Sequence, residues 1–424
     1  LRKKLREKLG EKLGKKWILA SALCIVLAAT AWAGQRQGNP HDKSGRWVGT
    51  WASSPQLGDQ GNAPPEPGFA DSTLRQIAHV SLGGKQIRVR FSNGFGATPL
   101  VIPSAHVALA SGRSAIRPES DKALTFHGQS SVTIPPGALM YSDPLDFDLV
   151  PLSDLAVTIH LHGVPEGVTA HPGSRTTSYL VAGDSVRAAD LPTAAPTDHW
   201  YFLNGIDVLA SNASAAIVTL GDSITDGRNS TTNANGRWPD ELARRLQANR
   251  STRKLGVLNA GIGGNRLLLD GLGPNALARL DRDVLSQPGV RWLIVLEGAN
   301  DIGTGAKAQE QHEPRATAEA LMAAYDQIIL RAHAHGIRVY GATITPFGES
   351  SYFSAEAEAE RQSVNAWIRN SGKFDAVIDF DTAIRDTQNP SRLLSAADSG
   401  DHLHPGDAGY KIMSDTIDLK LFAK

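Results

Sequence analysis

The chain has one cysteine, Cys24, among 424 residues, and only three methionines. A single thiol excludes an internal disulfide framework and any zinc site built on paired cysteines. Formal net charge is also missing: 43 Lys and Arg balance 43 Asp and Glu. The balance hides two unlike pieces. Residues 1–16 carry eight basic and two acidic side chains, which leaves 35 basic against 41 acidic from Gly34 onward. A mildly acidic body lacks the basic surface that displaces counterions from a nucleic acid, so no nucleic-acid partner is expected. Collagen-like and coiled-coil composition are absent, and so is any repeat of fixed period. With 41% hydrophobic residues, the chain has enough apolar content for packed cores, which excludes wholesale disorder.

One long apolar run is present. Residues 17–33 (WILASALCIVLAATAWA) hold no charge, follow the basic segment ending Lys15-Lys16, and end in the small-x-small site Ala31-Trp32-Ala33. This pattern predicts a signal peptide cleaved after Ala33 and a secreted or periplasmic protein. The competing expectation is an uncleaved membrane anchor, since 17 residues lie at the lower edge of a bilayer span. Leu23 before Cys24 does not suit a lipoprotein. Polar, Gly-rich residues 34–46 read as a linker.

From Trp47 the chain alternates short apolar and polar positions, broken by Gly, Pro, Ser and Asn. In QIRVRFSNG, Ile87, Val89 and Phe91 oppose Arg88 and Arg90; Leu155, Val157, Ile159 and Leu161 oppose Thr158, His160 and His162. Period-two alternation predicts half-buried strands and an antiparallel β-sandwich of the jelly-roll kind over 47–204, with Arg88 and Arg90 on a solvated face. Trp47 and Trp51 suit buried strand aromatics better than a sugar-stacking platform. After Asn204 short apolar runs (215–220, 254–259, 291–298, 337–344 and 376–380) alternate with helical patterns (238–248, 275–287, 314–335, 355–370 and one after Gly406). That order predicts a doubly wound parallel sheet over 205–424, with its active site beyond the carboxyl ends of the strands.

Four segments fall at that edge or in the last loop. GDSITDG (221–227) places Ser223 at a strand-to-helix turn, and NAGIGGN (259–265) allows close backbone approach to a bound group. EGAND (297–301) offers the Asn300 carboxamide, and DHLHPGDAGY (401–410) holds Asp401 and His404 three residues apart. Asp222 and Asp226 suit turn and cap roles. Asp301 suits loop bracing and His402 a solvated loop. The H-x-H pairs His160/His162 and His333/His335 have no third metal ligand nearby in sequence. GIGG lacks the full dinucleotide fingerprint.

In order, spacing and residue type the four segments resemble the GDSL esterases, also called SGNH hydrolases, over residues 205–424. The resemblance implies a flavodoxin-like sheet, with Ser223 as nucleophile and Asp401 and His404 completing the catalytic set. It implies an oxyanion hole from the Ser223 and Gly264 N–H groups and the Asn300 side chain. Gly261 and Gly263 compete with Gly264 for that role. Ile224 stands where the family has Leu, and Ala299 is a further departure; neither position carries a reacting group. WVGTWASSPQ with its β-rich continuation is similar to the subgroup that includes xylan-associated acylhydrolases. The implied activity is hydrolysis of acyl esters through an acyl-enzyme, without metal or organic cofactor, with an acetylated polysaccharide as the expected partner. A lipase or lysophospholipase acting on longer chains, a carbohydrate-binding surface protein with an inactive hydrolase domain, and acyl transfer stand as alternatives.

Overall fold

The computed structural model describes residues 45–305 and 315–423. The basic segment, the apolar run with Cys24 and its cleavage site, and residues 34–44 of the expected linker lie outside the described residues. Two kinds of sheet follow one another along the chain. The first part is antiparallel. Arg46–Ala52, Leu203–Ala210, Gly84–Ser92 and Leu139–Tyr141 are neighbours in a five-stranded sheet, with Leu145–Leu149 also on Gly84–Ser92. A seven-stranded sheet is centred on Ser72–His79, Asp154–Leu161 and Ser104–Gly112. Ile87, Val89 and Phe91 of the first sheet share one core with Leu155, Val157 and Ile159 of the second. The last antiparallel strand runs from Leu203 to Ala210, so the passage to the next sheet falls between Ala210 and Ala215.

The polar faces of these strands differ from expectation. Arg90 is 2% exposed and donates to Gln287 Oε1 at 2.8 Å, while Arg88 Nε donates to Asp207 Oδ2 at 2.8 Å. The expected solvated face is therefore covered at Arg90, which the second half of the chain reaches through Gln287, whereas Arg88 stays partly exposed beside Asp207, Trp47 and Tyr141 of the antiparallel part. Thr158 and His160 are also buried, with fully buried Arg75 donating from Nε to Thr158 Oγ1 at 2.9 Å. Alternation separates polar from apolar side chains without saying whether the polar side meets water. Trp51 packs edge-on against Trp200 at 4.8 Å, and Arg88 stacks over Trp47 at 4.6 Å. Neither ring forms an open platform.

The second part is a parallel sheet. Its strands are β1 (Ala215–Gly221), β2 (Leu255–Gly261), β3 (Val290–Leu296), β4 (Arg338–Ala342) and β5 (Ala376–Ile378), in spatial order 2-1-3-4-5. Between and after them come α1 (Ser223–Asp226), α2 (Trp238–Ala248), α3 (Ala276–Leu280), α4 (Ala299–Gly303), α5 (Ala318–Ala334), α6 (Ala355–Asn370), α7 (Phe380–Ile384) and α8 (Asp407–Thr416). Helix α5 begins at Ala318, where Thr317 Oγ1 caps the Ala320 N–H, and not at the Pro314 signal, which lies outside the described residues. Both sheet faces are apolar, as parallel sheets covered by helices require. Val218, Leu220, Leu293 and Val295 pack with α5 and α6 and join the core of the antiparallel part; Ile217, Val257, Ile294 and Tyr340 pack with α2, α7 and α8.

The edge strand β2 is covered by the antiparallel part. Ser81 Oγ accepts from Val257 N–H at 2.9 Å and donates to Val257 O at 3.1 Å, which satisfies a strand edge that otherwise invites pairing. Gly256 leaves room for the Gly49 carbonyl; a Cβ there would sit 2.7 Å from it. No described helix is long and apolar enough to cross a membrane.

Candidate active site

Order 2-1-3-4-5 puts the topological switch point between β1 and β3, where open sheets of this kind form a crevice. Ser223 follows β1 and Asn300 follows β3, one on each side of it. Strand β1 ends at Gly221, and Asp222 then caps α1 by accepting the Ile224 N–H at 2.8 Å, the cap role its type predicts. The one-turn helix therefore starts at Ser223, whose hydroxyl meets His404 Nε2 at 2.8 Å. His404 Nδ1 lies 2.7 Å from Asp401 Oδ2, and Asp401 Oδ1 accepts the His404 N–H at 2.8 Å and the Leu403 N–H at 3.0 Å. Asn229 Nδ2 donates to Asp401 Oδ2 at 2.9 Å.

A carboxylate facing Nδ1 makes that nitrogen the proton carrier, which leaves the Nε2 lone pair for the Ser223 hydroxyl. Burial lowers the His404 pKa from its ordinary value, and this outweighs the raising effect of Asp401. For Asp401, burial works upward, but hydrogen bonds from the His404 N–H and imidazole and the Leu403 N–H hold it at about 2. A neutral imidazole on an ionised carboxylate is the state a general base needs.

The other predicted residues stand on the opposite wall. Asn300, the second residue of α4, donates from Nδ2 to Asn265 O at 2.9 Å and more distantly to Asp222 Oδ2 at 3.3 Å. Tyr352 donates its hydroxyl to Asn300 Oδ1 at 2.7 Å, which fixes the carboxamide with its NH2 toward the nucleophile side. Of the three competing glycines, Gly261 spends its N–H on Asn259 Oδ1 at 2.9 Å and packs against the α1 backbone. Gly263 and Gly264 both line the cleft. Gly264 has φ +72°, and a Cβ there would lie 2.7 Å from Leu272 Cδ1, so the position tolerates little else.

Sequence reasoning did not single out several supporting residues. Arg279, 1% exposed, donates to Gly221 O at 3.0 Å, Ala260 O at 2.7 Å and Asn265 Oδ1 at 2.9 Å, which ties the ends of β1 and β2 together. Its ion-pair partner Glu297 is a buried acid whose pKa burial pushes up, as burial does for Asp222. Asp301, expected from the sequence to brace its loop, accepts the Leu267 N–H with both oxygens and is raised to about 6 by burial. From the antiparallel part, His171 places Nε2 2.8 Å from Asp226 Oδ1 and Nδ1 2.8 Å from Ser54 O, which anchors the turn that carries Ser223. These partners lie tens of residues apart in sequence; no spacing signals them. His402 braces its own loop through Asp398 at 2.6 Å. In the H-x-H pairs His160 meets Asp71 at 3.0 Å and, through its other nitrogen, Asp184 at 4.0 Å, and His333 meets Asp375 at 2.8 Å. Among the described residues no group of three or more His, Cys, Asp or Glu is placed to hold a metal.

Ser223, His404 and Asp401 open into a cleft of about 600 Å³. Ser223, Gly264, Asn300, Tyr352, Asp401 and His404 line one part; Gln56, Asp59, Asn62, Gly173, Arg175 and His199 of the antiparallel part line the rest. The chemistry this arrangement permits is proton removal from a serine hydroxyl next to hydrogen-bond donors.

Residues 219–412 match the model of the GDSL-like Lipase/Acylhydrolase family. At superfamily level this relates the segment to GDSL/SGNH-type hydrolases acting on esters. No curated protein matches the chain by sequence. Solved structures similar to it include a variant of an acetyl xylan esterase from Geobacillus stearothermophilus, 21% identical with a TM-score of 0.38, covering 47% of this chain and 91% of that one. A GDSL-like lipase from Bacteroides thetaiotaomicron VPI-5482 is 19% identical with a TM-score of 0.35, covering 49% of this chain and 87% of its own.

Proposed function

We propose that the protein is an exported serine esterase that removes short acyl groups, acetyl foremost, from a polysaccharide by way of an acyl-enzyme. The observation that carries this reading is the continuous line Ser223 Oγ, His404 Nε2 and Nδ1, Asp401 Oδ2, with steps of 2.8 and 2.7 Å, opening on a cleft. The export part rests on residues 1–33, outside the described residues, and 47–204 and 205–424 are the proposed domains.

In this reading Ser223 attacks the ester carbonyl while His404 takes the hydroxyl proton at Nε2. Asp401 holds the tautomer and stabilises the imidazolium. Negative charge develops on the carbonyl oxygen, and three donors are available for it: the Ser223 N–H, the Gly264 N–H and the Asn300 Nδ2–H. The 3.3 Å contact from Asn300 to Asp222 is the weaker of its two bonds and the one an oxyanion would replace. His404 then returns its proton to the leaving alcohol. Water, deprotonated by the same imidazole, cleaves the acyl-Ser223 ester.

A cleft lined by Gln56, Asn62, His199 and Ser350, with few apolar side chains, supports a short acyl group on a hydrophilic alcohol over a long-chain lipid. The test uses the whole chain and its Ser223→Ala variant on p-nitrophenyl esters from acetyl to dodecanoyl. Ser223-dependent turnover that falls beyond butanoyl is the expected result. A preference for octanoyl or longer would replace this reading with a lipase; no dependence on Ser223 would remove the esterase assignment.

A further inference from the structure

We propose that the cleft selects an ester whose alcohol half carries a carboxylate, as in an O-acetylated uronic acid unit, and that Arg175 and Arg228 are the groups that recognise it. This deepens the esterase reading and rests on it for the position of the ester. The two arginines come from different parts of the chain, Arg175 from the antiparallel part and Arg228 from the residues just after α1, and both line the cleft that holds Ser223 and His404. Among the described residues neither guanidinium has a hydrogen-bond or ion-pair partner. Arg175 Nε is buried and unsatisfied. A buried donor without an acceptor costs free energy until a ligand supplies one, and a guanidinium fork fits a planar carboxylate.

Both backbones are held in place, although the side chains are unpaired. Arg175 sits at φ +52°, an uncommon conformation for a side chain of its size. Its carbonyl accepts the Asn233 N–H at 3.0 Å, and Asn233 exchanges side-chain bonds with Thr177 at 2.8 and 2.9 Å. Arg228 donates its N–H to Ser223 O at 2.9 Å and accepts the Tyr410 hydroxyl at 2.6 Å. The nucleophile and one recognition group thus share a single turn. The clamp across residues 175, 177 and 233 sets the other.

Arg175, Arg228 and His404 line the same cleft, and the alcohol half, which takes its proton from His404, is the half assigned to the arginines. Of the cleft's own carboxylates, Asp59 Oδ1 accepts from Asn62, Asp226 Oδ1 faces His171 and Asp401 Oδ2 faces His404, while Asp226 Oδ2 is buried without a partner. A monoanion is repelled by these three acids half as strongly as a dianion at the same point, which favours carboxylate over phosphate. The amide, imidazole and hydroxyl groups of Gln56, Asn62, His199 and Ser350 in the lining suit a sugar.

The test begins with binding, on the full chain carrying Ser223→Ala, titrated calorimetrically with methyl glucuronoside, methyl glucoside and methyl glucoside 6-phosphate. These share a ring and differ only at C6. The glucuronoside should bind about tenfold tighter than the glucoside, and the preference should collapse to about twofold or less when Arg175→Gln or Arg228→Gln is added. Mono-O-acetylated forms of the same three sugars then give kcat/KM ratios on the chain with Ser223 intact. Such ratios do not depend on the fraction of each variant that is folded. Equal binding of glucuronoside and glucoside would overturn the proposal, as would a preference that survives both substitutions. Tighter binding of the phosphate would overturn the carboxylate assignment. Turnover of both acetylated sugars at equal kcat/KM keeps the esterase and removes the anion site. Arginine-dependent binding without turnover of any ester keeps the anion site and removes the esterase.

Discussion

The two walls of the cleft are built differently. On the parallel-sheet wall three of the proposed groups sit where a strand has just ended, Ser223 after β1, Gly264 after β2 and Asn300 after β3, while Asp401 and His404 come from the loop before α8. On the antiparallel wall Gln56, Asn62, Arg175 and His199 belong to short strands and loops, and none of them touches the Ser223–His404–Asp401 line by a hydrogen bond. The first wall is set by sheet geometry and by a buried guanidinium, Arg279, which binds two strand ends at once. The second is set by loop contacts. Apart from Arg228, which shares the turn of Ser223, the proposed reacting and recognition groups lie on separate pieces of chain, and substitution should separate them.

The largest effect is expected from the first wall. Ser223→Ala should lower kcat by roughly 10⁴-fold or more, with the thermal transition nearly unmoved, measured on p-nitrophenyl acetate. Asp401→Asn should cost on the order of 10⁴ in kcat by releasing the tautomer. Asn300→Ala should cost on the order of 10²–10³ in kcat through loss of one oxyanion donor. Gln56→Ala, on the second wall, should raise KM by less than about tenfold and leave kcat near the parent value, the signature of lost ground-state binding. Equal kcat losses from both walls would break the distinction. Arg279→Met should leave the buried Glu297 without its ion-pair partner and Asp283 with Arg282 alone, and destabilise folding by about 3–5 kcal/mol, read from denaturant melts.

The pH profile sharpens the same contrast. Burial lowers the His404 pKa, so its base form persists below the ordinary histidine value. The acid limb of kcat/KM should fall with a midpoint below about 6.5. A midpoint well above that would mean that Asp401 dominates burial.

Most of the parallel part was legible in sequence because each signal was local. The helix expected at 238–248 is α2, and that expected at 355–370 is α6. The four short segments carry Ser223, Gly264, Asn300, Asp401 and His404, and the fold brings all five into one cleft. What the sequence hid are contacts between segments far apart. Tyr352 reaches Asn300 across 52 positions, and His171 reaches Asp226 across 55. The solvated face expected at Arg90 failed for the same reason: alternation describes one strand, whereas cover at Arg90 comes from the second half of the chain, through Gln287, and Arg88 beside it stays partly exposed.

The central claim is that Ser223 is a nucleophile activated by His404. It is tested most directly by treating the whole chain with diisopropyl fluorophosphate and locating the phosphoryl adduct by peptide mass spectrometry. The account predicts stoichiometric loss of esterase activity, one adduct on the peptide containing Ser223, and much slower labelling of a folded His404→Ala variant. Esterase activity that survives the reagent, or an adduct on another residue that tracks its loss, would contradict it.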